Sequence, residues 1–285
     1  MSSAAFDAEA PPGTTKLAER PEVTSARRRR RLNLLSFAIM LLVWIAATGG
    51  AGFWTPVVDP VFFPSPLAVF EAFLRLIENG YQGRSLGHHL MMSLMRFGIA
   101  FGFCVTVGIT VGLLMGMNET VQGLLDPPIE ITRPIPKLAL LPLLIIWFGI
   151  GELSKVIVII MALFPLMSIS AMQAVRGVSR RKIQAAYSLG ATRWIVFWRV
   201  VLPASLPGIF TAIRLSLGVG VTMLVGAEMI ATSNGIAWMA LSAADFLLTD
   251  VVLVGVLMMA GLGYSLDQLA RVIERRVVHW SGKDS

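Results

Sequence analysis

Only one cysteine, Cys104, occurs in the 285 residues. No internal disulfide can form, and no cluster of metal-ligating side chains accompanies it. It lies inside an apolar run, where an inert packing thiol is the default. Charge is also scarce: 14% of residues are Asp, Glu, Lys or Arg while 55% are hydrophobic, against about 25% charged residues in ordinary soluble domains. That deficit excludes the one or two soluble domains the length would suggest and points to lipid as the solvent. The chain lacks a G-x-x-x-x-G-K-[ST] phosphate loop, which excludes ATP hydrolysis by the usual route. Among its three histidines, His88 and His89 are adjacent and leave a helix in different directions. They make a poor metal site and read as ordinary outer-surface residues, while His279 sits in the C-terminal tail. With no paired carboxylates and no nucleophile–base arrangement, no catalytic residue and no metal site is assigned, and the chain is not read as an enzyme.

What is present is apolar length and positive charge. The net charge is +7, and the run Arg27–Arg31 could suggest nucleic acid. A polybasic segment just before an apolar stretch is better read as a topology signal, so no nucleic-acid partner is assigned. Residues 1–31, rich in Ala, Pro, Thr and Glu before the arginines, read as a disordered basic cytoplasmic tail. Residues 32–285 read as one transmembrane domain. The apolar stretch after the arginines is too long for the core of a signal peptide, about 7–15 residues, and no A-x-A cleavage site follows.

A spanning helix needs about 20 apolar residues. Six candidates are found: about 32–50, 91–117, 134–148, 153–175, 205–230 and 251–273, the third short and proline-interrupted, with a start near Pro127 also open. The fold class is therefore all-α, a polytopic membrane protein of about six transmembrane helices. In the second span Gly98, Gly102, Gly108, Gly112 and Gly116 are spaced to let neighbouring helices approach closely. Positive charge gathers in three places: Lys16, Arg20 and Arg27–Arg31 at the N-terminus; Arg176, Arg180, Arg181, Lys182, Arg193 and Arg199 between spans four and five; Arg271, Arg275, Arg276 and Lys283 in the C-tail. The opposite loops hold only Arg75 and Arg84. The positive-inside rule then places both termini in the cytoplasm of a multi-pass inner-membrane protein. The segment 64–79 carries Leu67, Phe70, Phe73, Leu74 and Ile77 at helical spacing, too short and too charged to span. It is expected at the outer interface or packed on the bundle.

The loop 176–204 is too polar to cross a membrane and too patterned to be a plain linker. Gln184–Leu189 favours helix, and Gly190 gives a C-terminal break or a close-contact point. Trp194, Phe197, Trp198 and Val201 then recur at helical spacing, which predicts a second, amphipathic helix lying on the bundle before Pro203 and Pro207 open the next span. A short helix capped by small residues suits docking to a soluble motor; an interfacial re-entry helix without a partner has the same shape.

Gln184, Ala185, Ala186, Gly190, Val200, Leu202 and Pro203 resemble the motif E-A-A-x3-G-x9-I-x-L-P of ABC importer permeases. Gln184 stands in place of the family's Glu and Val200 in place of its Ile. Over about residues 62–282, Phe63-Pro-Ser-Pro66, Leu125-Asp-Pro-Pro, Arg133-Pro-Ile-Pro136 and Trp147-Phe-Gly-Ile-Gly-Glu-Leu-Ser-Lys155 are similar to the nitrate/sulfonate/taurine permease family. The stretches 133–155, 226–231 and 246–253 most resemble its taurine-transport branch. The resemblance implies a type I ABC importer permease fold. It implies an assembly with a second permease copy, two copies of an ATP-binding subunit and a periplasmic solute-binding protein. ATP and Mg would be held by the partner, and this chain would bind no cofactor. Coupling to the ATPase is implied for the seven motif residues, and taurine or a related organosulfonate as substrate, with nitrate or another small organic solute as the alternative. A secondary transporter is the rival reading, but neither inverted repeats nor coupling-ion sites are seen.

Ionisable groups within spans are functional candidates by default. Glu228 and Arg214 are the candidates for the translocation path, with Glu228 equally readable as a hydrogen-bond partner to another helix. Arg96 and Arg214 can also be read as snorkelling to the interfaces. Trp147, Trp238 and Trp280 are expected as interface anchors.

Overall fold

The computed structural model describes residues 26–49, 59, 61–230 and 232–280. Most of the expected N-terminal tail and Lys283 therefore lie outside the described residues. Arg27–Arg31 do not: they form the first turns of α1 (Ala26–Ala47). Among the described residues there is no strand, only an isolated bridge between Tyr81 and Arg84.

After α1 the chain forms α2 (Pro66–Asn79), α3 (Leu86–Phe103), α4 (Ile109–Met117), α5 (Glu119–Thr132), α6 (Leu141–Phe148) and α7 (Glu152–Arg176). There follow α8 (Arg180–Ser188), α9 (Arg193–Val196), α10 (Leu202–Met229), α11 (Ile236–Asp245) and α12 (Thr249–Val277). Starts follow local chemistry. Ser65 Oγ accepts from Ala68 N–H at 3.2 Å ahead of Pro66, and Ser85 Oγ accepts from His88 N–H at 3.2 Å; each satisfies a donor the first helical turn leaves orphaned.

Four helices are long and apolar enough to span a bilayer: Leu86–Met117, Glu152–Arg176, Arg193–Met229 and Thr249–Val277. Among the described residues these correspond to the second, fourth, fifth and sixth of the spans expected. The third becomes the pair Glu119–Thr132 and Lys137–Phe148, bent by 85°. Pro134 and Pro136 account for the break, since each removes an amide donor and biases the residue before it away from the helical region. The first corresponds to α1, whose apolar part, Arg31–Ala47, falls in the shorter class.

The fifth span starts earlier than expected. α9 runs through a π-turn, Phe197–Val201, directly into α10, so the second loop helix and the span are one. Pro203 explains the π-turn: its ring would clash with the Arg199 carbonyl of a regular helix, and widening the preceding turn relieves the clash. The extra residue also turns the expected apolar stripe. Val196 and Val201 are buried, while Trp194 and Trp198 are 69% and 49% exposed. α2 is also two-faced. Val69, Ala72 and Leu76 are buried, whereas Leu67, Phe70, Leu74 and Ile77 are exposed. In lipid the larger stripe faces the solvent it prefers, and the smaller residues allow close packing on α12.

α7 is the centre of the bundle, with 56% of its apolar window buried against 28–33% for the other spans. Glycines bring its neighbours in. A Cβ on Gly112 would lie 2.2 Å from the Ser168 carbonyl oxygen, one on Gly116 2.6 Å from Val175 Cβ, and one on Gly208 2.8 Å from Ala174 Cβ. A side chain at any of the three would not fit, so these backbones approach closely. Gly98 and Gly102, expected to act likewise, have no neighbour within 4 Å. Cys104 is fully buried, as its apolar context implied.

Candidate coupling site and the buried charge cluster

The two ends of α7 carry the two sites. At the Arg176 end, α7 stops at Gly177 and α8 stands out from the bundle with no buried residue. Its C-terminus is a Schellman closure. Gly190 N–H donates to Tyr187 O at 2.9 Å and Ala191 N–H to Ala186 O at 3.1 Å, with Gly190 at φ +81°. A side chain is disfavoured in this left-handed conformation, which is the local reason for glycine. Within this chain a Cβ there would meet nothing within 4 Å; the space beside Gly190 is open. Leu189 next to it is 89% exposed.

The helix is held from one side. Ile183 and Ala186 pack on a small cluster of Val175, Val178, Val196 and Val201. Gln184 and Ala185 face outward, exposed. Val200, Leu202 and Pro203 are half-buried in the π-turn and first turn of α10. The seven expected coupling residues thus fall into two groups, one presented on α8 and its cap and one in the spanning helix behind it. The shape is that of a rigid knob on a lever, with a carbonyl-capped end and no titratable group among the seven.

At the Glu152 end lies a buried charge cluster that the sequence did not reveal. Arg96 and Glu228 are both fully buried, and Arg96 Nη1 meets Glu228 Oε1 at 2.8 Å. Arg96 Nη2 donates to Glu152 Oε1 at 2.9 Å, and Nε to Glu152 Oε2. The remaining donors reach the Asn234 carbonyl at 3.0 Å, Asn234 Oδ1 and Thr232 Oγ1 at 3.3 Å. Glu228 in turn accepts from Ser93 Oγ at 2.7 Å and from Ala237 N–H at 3.0 Å. Each of the five guanidinium N–H groups has an acceptor, the condition under which a buried cation is tolerable. Lys155 Nζ lies 3.4 Å from Glu152 Oε1, so two cations face two carboxylates.

Three expectations are corrected here. Arg96 does not snorkel: it is 0% exposed and ties α3 to α7, α10 and the turn before α11. Its long side chain reaches acceptors on four residues inside the bundle, which outweighs the pull of the interface. His89 is not a surface histidine. It is fully buried, accepts from Gly235 N–H through Nδ1 at 3.2 Å and has Nε2 3.3 Å from Tyr81 O. That pairing fixes the neutral tautomer with the proton on Nε2. Trp238 stacks on the His89 ring at 5.7 Å and is a packing residue, not an interface anchor. Trp147, 64% exposed, is free to anchor.

Glu228 and Arg214 are not brought together. Arg214 Nε lies 3.2 Å from Asp267 Oδ1, and its Nη1 3.5 Å from Glu274 Oε2. With Asp267 and Tyr264 it lines a groove of about 420 Å³ between α10 and α12. Asp267 and Glu274 recur at i and i+7 on one face of α12, a spacing that could have marked them as partners for a basic residue.

With this geometry in view, similarity to known proteins becomes informative. Residues 105–279 match the family described as binding-protein-dependent transport system inner membrane component, and the chain belongs to that family of ABC importer permeases. It is 42% identical to the taurine transport system permease protein TauC of Escherichia coli K12, over 90% of this chain and 92% of that one. It is 32% identical to a putative aliphatic sulfonates transport permease, SsuC, of Bacillus subtilis 168, over 87% and 86%. The nitrate import permease NrtB of Synechocystis is 28% identical over 88% and 95%. Among solved structures, an inward-facing form of the MetNI methionine ABC transporter superposes with a TM-score of 0.56 at 19% identity, covering 67% of this chain and 95% of that one. An amino acid ABC transporter gives 0.56 at 18%, covering 77% and 99%. Those structures establish a type I importer permease fold.

Proposed function

We propose that this chain is the permease subunit of an ATP-driven, binding-protein-dependent importer of taurine or a closely related organosulfonate. Two copies would form the pathway across the inner membrane, with two ATPase subunits at the α8 end and a solute-binding protein at the Glu152 end. ATP and Mg belong to the ATPase, and residues 32–285 act as one transmembrane unit behind a short basic tail. The observation that carries the reading is α8 itself: a helix with nothing buried, capped by a glycine whose open side awaits a neighbour. ATP-driven closure of the motors pushes α8. Because α9 and α10 are one continuous helix, the push passes through Val200, Leu202 and Pro203 into a 37-residue rod, Arg193–Met229. The far end of that rod is Glu228, bonded to Arg96 and through it to the tip of α7. A push at Gly190 therefore displaces the opposite end of the bundle.

Arg214, about one-third exposed beside Asp267, meets the solute on the path, where a mixed pair gives a zwitterion transient partners. Glu228 supports that path from behind through Arg96. The taurine assignment rests on the identity to TauC across nine-tenths of the chain. Its test is growth of a deletion strain, with no redundant system, on taurine, an alkanesulfonate or sulfate as sole sulfur source. Loss of growth on taurine with normal growth on sulfate is expected; unimpaired growth on taurine would remove taurine from the account.

Orientation is tested separately. Single cysteines at Ser3 and Ser285 should resist an impermeant thiol reagent in intact cells, whereas one at Gln82, exposed in the turn before α3, should react. The native Cys104, fully buried, gives little background. Labelling of both termini from outside would overturn the orientation.

A further inference from the structure

Behind α8 the chain leaves a pocket of about 870 Å³ between that helix and the bundle. Arg176, Arg180 and Arg193 line it, with Tyr187 beside them. Arg176 donates to Gln122 Oε1; Arg180 and Arg193 have no acceptor among the described residues. One carboxylate also lines the pocket, Glu119. It sits in the first turn of α5, where the helix dipole favours it. Three guanidinium groups against one locally compensated carboxylate leave the pocket positive. Its floor is apolar: Val196, Phe197 and Val201.

The depth of this pocket follows from the spans. Arg176 is the last residue of α7 and Arg193 the first residue of the helix that ends at Met229. Both mark an end of a helix long and apolar enough to cross a bilayer, which puts the pocket at one end of the bundle rather than at mid-span. Trp194 and Trp198, 69% and 49% exposed, stand beside it, as aromatic side chains do at the membrane boundary. Basic pockets between spanning helices at this depth bind anionic lipid headgroups.

We propose that this pocket is a binding site for an anionic phospholipid, its phosphodiester on Arg180 and Arg193 and the start of its acyl chains on Val196, Phe197 and Val201. A free phosphate or sulfate would satisfy the arginines but leaves the apolar floor unused, so the lipid is the better fit. The site uses the face of α8 that carries Arg180, Ile183 and Tyr187. Ala185 and Leu189 lie on the opposite face, exposed. The lipid thus lies behind the element that the motor pushes, away from the exposed Ala185, Leu189 and the open side of Gly190. The inference rests on the proposed function only for the bilayer placement of the spans.

The test is native mass spectrometry of the full-length chain in mild detergent, titrated with phosphatidylglycerol, phosphatidylcholine or inorganic phosphate. Phosphatidylglycerol is expected to be retained in preference to phosphatidylcholine, and millimolar phosphate should not displace it. Arg180→Gln with Arg193→Gln should weaken phosphatidylglycerol retention about thirtyfold, about fivefold per basic side chain. Arg275→Gln with Arg276→Gln, the same charge removed from the end of α12, should not. On the unmutated chain, phosphatidylglycerol with a photoreactive acyl chain should label residues within 187–201. Equal retention of the two lipids, equal loss in both double variants, or labelling elsewhere would overturn the site. Displacement by phosphate would reassign it to a soluble anion. Displacement by the ATPase subunit would reassign it to that protein. Failure of the unmutated importer to take up taurine, with lipid preference intact, would fault the substrate reading alone.

Discussion

Arg96→Met should be the most destabilising single substitution in the bundle, costing about 3–5 kcal/mol. Methionine fills much of the volume of the arginine stem but leaves Glu228, 0% exposed, without the cation bonded to it. It also releases Glu152, the Asn234 carbonyl and Thr232 from their donor. A buried carboxylate without its partner carries a desolvation penalty that the pair had offset. Removing both charges together, as in Arg96→Met with Glu228→Leu, should recover part of the loss, because no unpaired charge then remains. Glu152→Gln should cost less than either, since that carboxylate is 37% exposed and water can replace the guanidinium. Thermal unfolding of the purified chain in one detergent at one heating rate would order the four proteins. If Arg96→Met unfolded together with the wild type, the cluster would not be what joins α3, α7 and α10.

Gly190→Glu should leave the chain inserted and folded while abolishing uptake. The glycine is at φ +81° with no atom within 4 Å of where a Cβ would stand. Inside this chain the change costs only the strain of a left-handed L-residue, about 1–2 kcal/mol. Across an interface it places a charged side chain into a contact made by bare backbone, where it cannot be desolvated cheaply. The ATPase subunit should no longer co-purify, and transport should fall at least about tenfold, the equivalent of 1.4 kcal/mol of lost docking. Gly190→Asn is the control. Asparagine tolerates the left-handed conformation and carries no charge, so it should retain most of the docking. Gln184→Glu should be tolerated, since Gln184 is exposed and a carboxylate there meets solvent. Normal uptake and co-purification by Gly190→Glu would mean that α8 does not couple.

How much of this could be read from the sequence depends on the range of the interaction. Local signals carried well. The charge deficit gave the membrane, the Gly190 spacing gave the cap of α8, and the glycines at 112 and 116 gave close packing on α7. Signals that need a second element did not. Nothing in the linear chain links Arg96 to Glu228, 132 positions on, or to Glu152, 56 positions on. Arg96 alone therefore looked like a residue bound for the interface. The expected stripe on α9 is split, with Phe197 and Val201 on the bundle and Trp194 and Trp198 facing out, and the stripe on α2 left open which side is covered. Periodicity identifies an apolar face without saying whether lipid or protein covers it, and in a bilayer the larger side chains prefer the lipid. The π-turn before Pro203 escaped for a related reason. The proline announces a disturbance, and only packing decides whether the helix breaks there or widens and continues.

The central claim is that this chain conducts a solute only when a separate motor acts on α8. Uptake of labelled taurine into proteoliposomes holding the permease and its cognate ATPase tests it most directly, with the solute-binding protein added outside. The account predicts uptake that needs ATP, the ATPase subunit and the binding protein together, and that is lost in Gly190→Glu but kept in Gly190→Asn. Uptake at an undiminished rate by the permease alone, without ATP or the ATPase, would contradict it and make the chain a secondary transporter.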